Sequence, residues 1–194
     1  MPLKRFFAYV IDYIIITVIA SCLSAIPLIN TNIYEYRYTT DSILKLNENY
    51  LKNDIERDEY QSNYEQYLYE GTKQNLTYTI IKIALLLAYF GYYQYKKGQT
   101  IGMKFLKIKV VGIKENPNLK TYLLRIIILD NIIFTVLKTL LVYIMTIDNY
   151  YSLYQLLTFI ANLINFVTVI LIIFSQNKRG IHDILSDTSV VSVD

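Results

Sequence analysis

Eight polar side chains carry the chemistry this sequence offers: Arg5, Asp12, Arg125, Asp130, Asn162, Asn165, His182 and Asp183. Most sit inside or at the ends of apolar runs, where an ionised group costs roughly 2.5–3.5 kcal/mol on insertion scales. Each therefore needs a partner, a proton or a ligand. Arg5 and Asp12 are two helical turns apart and share a face. Arg125 and Asp130 point about 140° away from each other on one helix. They are expected to look to other helices, which favours Arg5 with Asp130 or Asp12 with Arg125. His182, the single histidine, adjoins Asp183. Such a pair suits a proton relay, although a lone histidine more often serves as a structural donor. Gln155, Thr158, Asn162, Asn165 and Gln176 fall within about 80° of one another at ~100° per residue. That stripe either bonds helix to helix or lines a polar path.

Other chemistries are excluded. The lone cysteine and lone histidine rule out an internal disulfide and fall short of a zinc set. The Gly98 to Gly102 stretch has the wrong glycine spacing for a phosphate loop. No nucleophile–base pair stands out. Catalysis, a metal, a cofactor and a nucleic-acid partner are all unexpected.

These residues must be positioned by membrane helices. The chain is 54% hydrophobic and only 18% charged over 194 residues. Its apolar residues collect into runs long enough to cross ~30 Å of hydrocarbon. Residues 6–28, 76–95, 122–147 and 153–174 are the expected spans, making an all-α protein with a four-helix transmembrane bundle. Lys82 and Lys138, each two or three turns from an outer boundary, are expected to snorkel outward. A lipoprotein-like cleavage box ends at Cys22, but Asp12 and the apolar run after Cys22 favour a retained helix.

Charge sets the orientation. Lys4 and Arg5 precede the first run, and the tail 175–194 opens with Lys178 and Arg179. The 96–120 loop carries Lys96, Lys97, Lys104, Lys107, Lys109, Lys114 and Lys120 against Glu115. Segment 30–75 instead holds nine acids and five bases. By the positive-inside rule this is a multi-pass cell-membrane protein with both termini cytoplasmic. The lysines also suit anionic lipid headgroups. Segment 30–75 has a loose helical period and is expected to form an extracytoplasmic helical insertion, a cap or a partner-binding surface. Residues 107–111 and 188–193 alternate like strands and are expected to pair as a small cytoplasmic two-stranded β element.

Arg5 and Asp12 in the first run resemble the defining residues of the RDD membrane-protein family. Gly98-Gln99-Thr100-Ile101-Gly102-Met103-Lys104 with Lys107-Ile108-Lys109-Val110-Val111 resembles its cytoplasmic segment, and Arg125 with Asp130 its following helix. Arg179-Gly180-Ile181-His182-Asp183-Ile184-Leu185-Ser186-Asp187-Thr188 resembles its closing motif, with Asp183 matching the second defining aspartate. Residues 1–194 then read as one RDD-like domain, with 30–75 as an insertion. The resemblance implies a helical domain suggested to take part in transport, some members being similar to alkali-cation/proton antiporters. It points to Arg5, Asp12, Asp130 and Asp183. Two roles follow: a proton-coupled secondary transporter of a monovalent cation or small solute, or a non-transporting scaffold, accessory or immunity-type protein. The first calls for a homodimer, since four helices are few. The second calls for a protein partner at the outer insertion.

Overall fold

The computed structural model describes residues 2–113 and 115–193; Lys114 of the lysine series lies outside them, as do Met1 and Asp194. The protein is 74% helical. Helices α1 (Pro2–Ser24), α4 (Leu76–Lys97) and α8 (Ile147–Phe174) are long and apolar enough to cross a membrane. Between α1 and α4 stand α2 (Ile33–Leu51) and α3 (Arg57–Gln74). After α4 come α5 (Ile101–Phe105), β1 (Ile108–Gly112), α6 (Leu119–Leu129) and α7 (Ile132–Leu141). Short α9 (Ile181–Leu185) and β2 (Thr188–Ser192) follow α8.

Helix α1 buries every fourth residue, Ala8, Asp12, Ile16, Ala20 and Ser24. Large side chains such as Phe6, Ile14 and Val18 face outward. That inversion of a soluble helix, with small and polar groups inside, is what packing within lipid favours. The helix stops before the expected Leu28 because Pro27 follows, and helices end ahead of proline. Inside, Ile16, Leu86, Phe90, Ile126 and Ile132 form one core cluster.

The expected third span, 122–147, is not one helix. Asp130 closes α6 and Asn131, at φ 52°, opens α7. Asparagine tolerates this left-handed backbone, and short polar side chains favour turns over helix interiors. The halves hold 11 and 10 residues, each about half of the ~30 Å hydrocarbon thickness. Helix α8 corrects the other way: it begins at Ile147 and runs 28 residues. In α4, Leu87–Tyr93 forms a π-helical segment. There Gly91 lets the Leu123 side chain of α6 approach closely, so that a Cβ would oblige that side chain to shift.

At one end α2 and α3 pair as a helical hairpin. Tyr50 stacks on Tyr60 at 4.4 Å and Thr39 donates to Gln74 at 2.8 Å. Tyr69 reaches Met145 O and Tyr150 reaches Thr72, which ties the hairpin to the start of α8.

At the other end β1 and β2 form the expected antiparallel pair, centred on Val110 opposite Val190. These equivalent residues lie 80 positions apart, and so do their surroundings. Thr100 (φ −82°, ψ 173°) matches Gly180 (−80°, 172°), and Leu106 (−95°, 7°) matches Ser186 (−96°, 5°). Left-handed Gly98 and Lys107 match left-handed Lys178 and Asp187. Gln99 donates to Ile108 O at 2.8 Å, and Arg179 donates to Thr188 O at 2.8 Å. Even the outermost ladder bonds correspond, Ile113 N to Asp187 O and Val193 N to Lys107 O. A short helix, a left-handed residue and a strand thus follow α4 and again follow α8, related by a pseudo-two-fold axis through the Val110–Val190 pair.

Candidate functional site

Asp183 sits at the base of the sheet end, fully buried. The capping geometry of α9 places it, with Gly180 N donating to its Oδ2. Arg125 Nε from α6 meets Oδ1 at 3.0 Å and Arg5 Nη1 from α1 meets Oδ2 at 3.2 Å. Thr188 and His182 also approach Oδ1, at 3.4 and 3.5 Å. Burial alone would raise the Asp183 pKa, but Arg125, His182 and Arg5 outweigh it and hold the carboxyl below its usual range. His182 moves to about 4 because it is buried and faces two arginines, with Asp183 opposing only in part. Its imidazole is therefore neutral at physiological pH. Arg5 further donates to Lys178 O and Val190 O. One guanidinium thus ties α1 to the turn after α8, to α9 and to β2.

Asp12, also fully buried, is occupied differently. Its carboxylate accepts from the Tyr89 hydroxyl at 2.6 Å, from Gly102 N at 2.7 Å and from the Thr100 hydroxyl. Tyr89 lies in the π-helical segment and also accepts from Ile101 N at 2.8 Å. Gly102 is obligatory: a Cβ would strike Ala8 O and stand 2.9 Å from Asp12 Oδ2. Asp12 therefore fastens the start of α5 to α1, as a carboxylate fastens a helix N-terminus.

Asp130 is the acid left open. Tyr9 donates to its Oδ1 at 2.7 Å, while its buried Oδ2 has no hydrogen-bond partner. It stands at the break between α6 and α7, and next to it Asn131 donates to Asn165 of α8 at 2.9 Å. Lys82 is within electrostatic reach of Asp130 and donates to Tyr13, one turn from Tyr9 on α1. Lys82 lies over the Tyr13 ring at 4.6 Å and Lys138 over the Tyr154 ring at 4.7 Å. Both ammoniums are held by aromatic faces.

Neither expected cross-helix pair forms. Arg5 takes Asp183 rather than Asp130, and Arg125 takes Asp183 rather than Asp12. The cause is the short helix α9, which inserts its own carboxylate between the two arginines. Arg5, Tyr9, Asp12, Arg125, Asn165 and His182 do border one cavity of about 430 Å³ between α1 and α8. Its remaining walls are largely apolar. The α8 stripe divides: Asn165 bonds to Asn131 and Thr158 approaches Lys138 at 3.5 Å, while Asn162 is exposed. Sequence reasoning missed Tyr9, Tyr89, Thr100 and Gly102. Thr100 carried the one legible signal, a hydroxyl residue at a helix start, and its side chain does accept from Met103 N.

The family model described as RDD family matches residues 1–187. No curated protein and no solved structure matches the chain.

Proposed function

Because the chain belongs to the RDD family of membrane proteins, we propose that it is a proton-coupled secondary transporter of a monovalent cation, with Asp130 as the exchanging group. We read α1, α4, the broken α6–α7 pair and α8 as four crossings. The sheet end faces the cytoplasm with both termini, as its lysines favour, and the α2–α3 hairpin lies outside.

The observation that carries this reading is the free oxygen of Asp130 at a helix break. Discontinuous membrane helices present unwound backbone and half-helix ends at the sites where transporters hold their ions. At the end of α6, Ile126 O and Ile128 O accept from Asp130 N and Asn131 N, and a helix end leaves further carbonyls without helical donors; Asp130 closes that helix. A monovalent cation would be met by Asp130 Oδ2 and by such carbonyls. A proton on the same oxygen removes the charge that holds the cation, so one carboxylate alternates between the two. Asp12 and Asp183 are unsuited to alternation: three donors occupy the first and two arginines the second. In proteoliposomes, an imposed pH gradient should drive Na⁺ or K⁺ flux that Asp130→Asn abolishes. Flux undiminished in that variant would end the proposal.

A second reading rests on the hairpin. Tyr34, Tyr38, Leu44 and Leu51 of α2 are all exposed, an apolar surface suited to a protein partner. A non-transporting accessory role would follow. Removing residues 32–73 should then abolish function while the helices still insert; full activity in the deletion would exclude it.

A further inference from the structure

Helix α8 buries only Tyr150 and Ala161 among its 28 residues. Its outward face is mostly what a lipid-facing helix should be, with one exception at its middle. Asn162, two positions beyond the midpoint of α8, is exposed and has no hydrogen-bond partner among the described residues. Gln155, two turns earlier on the same face, is likewise exposed and unpaired. An amide moved from water into a medium with no hydrogen-bonding groups loses its partners at a large cost. Lipid tails offer it nothing.

The neighbours of Asn162 follow a rule. Gln155, Phe159, Asn162, Phe166, Val169 and Ile173 succeed one another at alternating spacings of four and three. Phe159 is 66% exposed and Phe166 62%, while Val169 at 51% and Ile173 at 44% continue the spacing at the rim of the α1–α8 cavity. Alternation of four and three is the seven-residue repeat of a helix–helix seam. At ~1.5 Å per residue the seam is about 27 Å long, close to the hydrocarbon thickness. Thr158 and Asn165, on its flank, already have partners inside the chain, so the unpaired amides mark the seam itself.

We infer that this face of α8 is a homodimer interface, in which Asn162 of one copy hydrogen-bonds Asn162 of a second copy across a two-fold axis. A carboxamide carries both donor and acceptor and so complements itself. Copies inserted with the same orientation bring the two seams together in parallel, and an isologous contact places the same residue opposite itself. A single polar position within an apolar seam also fixes register and copy number. The inference needs α8 to lie in the membrane but does not depend on transport by Asp130.

The test uses the full chain in bilayers, with the exposed free thiol Cys22 replaced by serine. Self-association is read by energy transfer between labelled copies as protein is diluted into lipid. Asn162→Leu should weaken it roughly tenfold, the effect of losing interhelical amide bonds, and Asn162→Gln should largely retain it. In single-cysteine variants, Phe166→Cys should cross-link under oxidation, and Leu156→Cys, about 120° around the helix from Asn162, should not. The inference fails if the chain alone stays monomeric, as it would were the seam reserved for a different protein. It fails equally if Asn162→Leu associates as tightly as its parent, or if Leu156→Cys cross-links as readily as Phe166→Cys.

Discussion

Asp183 and Asp130 are both acids on or beside broken helical structure, yet one is fully buried and the other half-buried, and their surroundings are opposite. Asp183 is enclosed by Arg125, Arg5, Thr188 and its neighbour His182, and the first three each tie a different element to it. Asp130 meets one phenol and leaves an oxygen free. Asp12 falls with Asp183, since its donors hold α5 to α1. The difference teaches which acids build the protein and which remain available to a ligand. Burial goes with the donors, since Asp12 and Asp183 are wholly enclosed and Asp130 is half-buried; the number of donors separates those that fasten from the one left open.

The comparison breaks most visibly at Asp183. Asp183→Asn leaves two buried arginines facing a neutral amide, and removing one member of a buried ion pair typically costs ~3–5 kcal/mol. It also loosens α1, α6 and β2 together, because that carboxylate and Arg5 join all three beside the Ala8, Tyr122 and Val190 cluster. Thermal unfolding of the detergent-solubilised protein should show the loss. A midpoint close to that of the parent would mean the cluster is not the fastening described here.

Acid should attack the same cluster next. In the folded chain His182 titrates near 4, against 6.5 for an ordinary histidine. Between those values the unfolded chain binds a proton that the folded chain refuses, so stability is full above about pH 6.5 and falls towards pH 4. The effect is on the order of 3 kcal/mol at most. Asp183, held below its usual value, adds its own loss only once the pH passes below the ordinary carboxylate range. Unfolding midpoints between pH 7 and pH 4 should therefore decline, and His182→Gln should flatten that decline. A pH-independent midpoint in the parent would remove the buried neutral imidazole from the account.

Much of this architecture is legible in sequence, and the remainder fails for identifiable reasons. Apolar run length marks α1, α4 and α8, and the β-prone stretches 107–111 and 188–193 do pair. The break at Asn131 is hidden because Ile126–Leu129 and Ile132–Ile133 read as one continuous apolar run on either side of it. The repeat is hidden because matching backbones require only a left-handed residue and a helix start. Gly98 and Lys178, or Lys107 and Asp187, serve equally in those places. Ile101 with Ile181, Val110 with Val190 and Val111 with Val191 are the identities that survive across it. Arg5, Asp12, Arg125, Asn165 and His182 do gather around one cavity, but their partners were not legible. Pairing was sought between long helices, whereas α5 and α9, each only five residues, supply the groups that reach Asp12 and the arginines.

Asp130→Asn should have the smallest effect on stability and the sharpest consequence for the comparison. The asparagine side-chain oxygen can still accept from Tyr9, and the free Oδ2 is replaced by an amide of nearly the same size. No helix loses a tie, in contrast to Asp183, and the folded protein should shift by less than about 1 kcal/mol. Lys82 retains Tyr13 as its acceptor and as an aromatic face, so its ammonium is not stranded. A variant that is stably folded yet inert in cation flux separates the open acid from the enclosed ones. Unfolding as severe as that of Asp183→Asn would place Asp130 among the structural acids, and the distinction drawn from donor number would no longer hold.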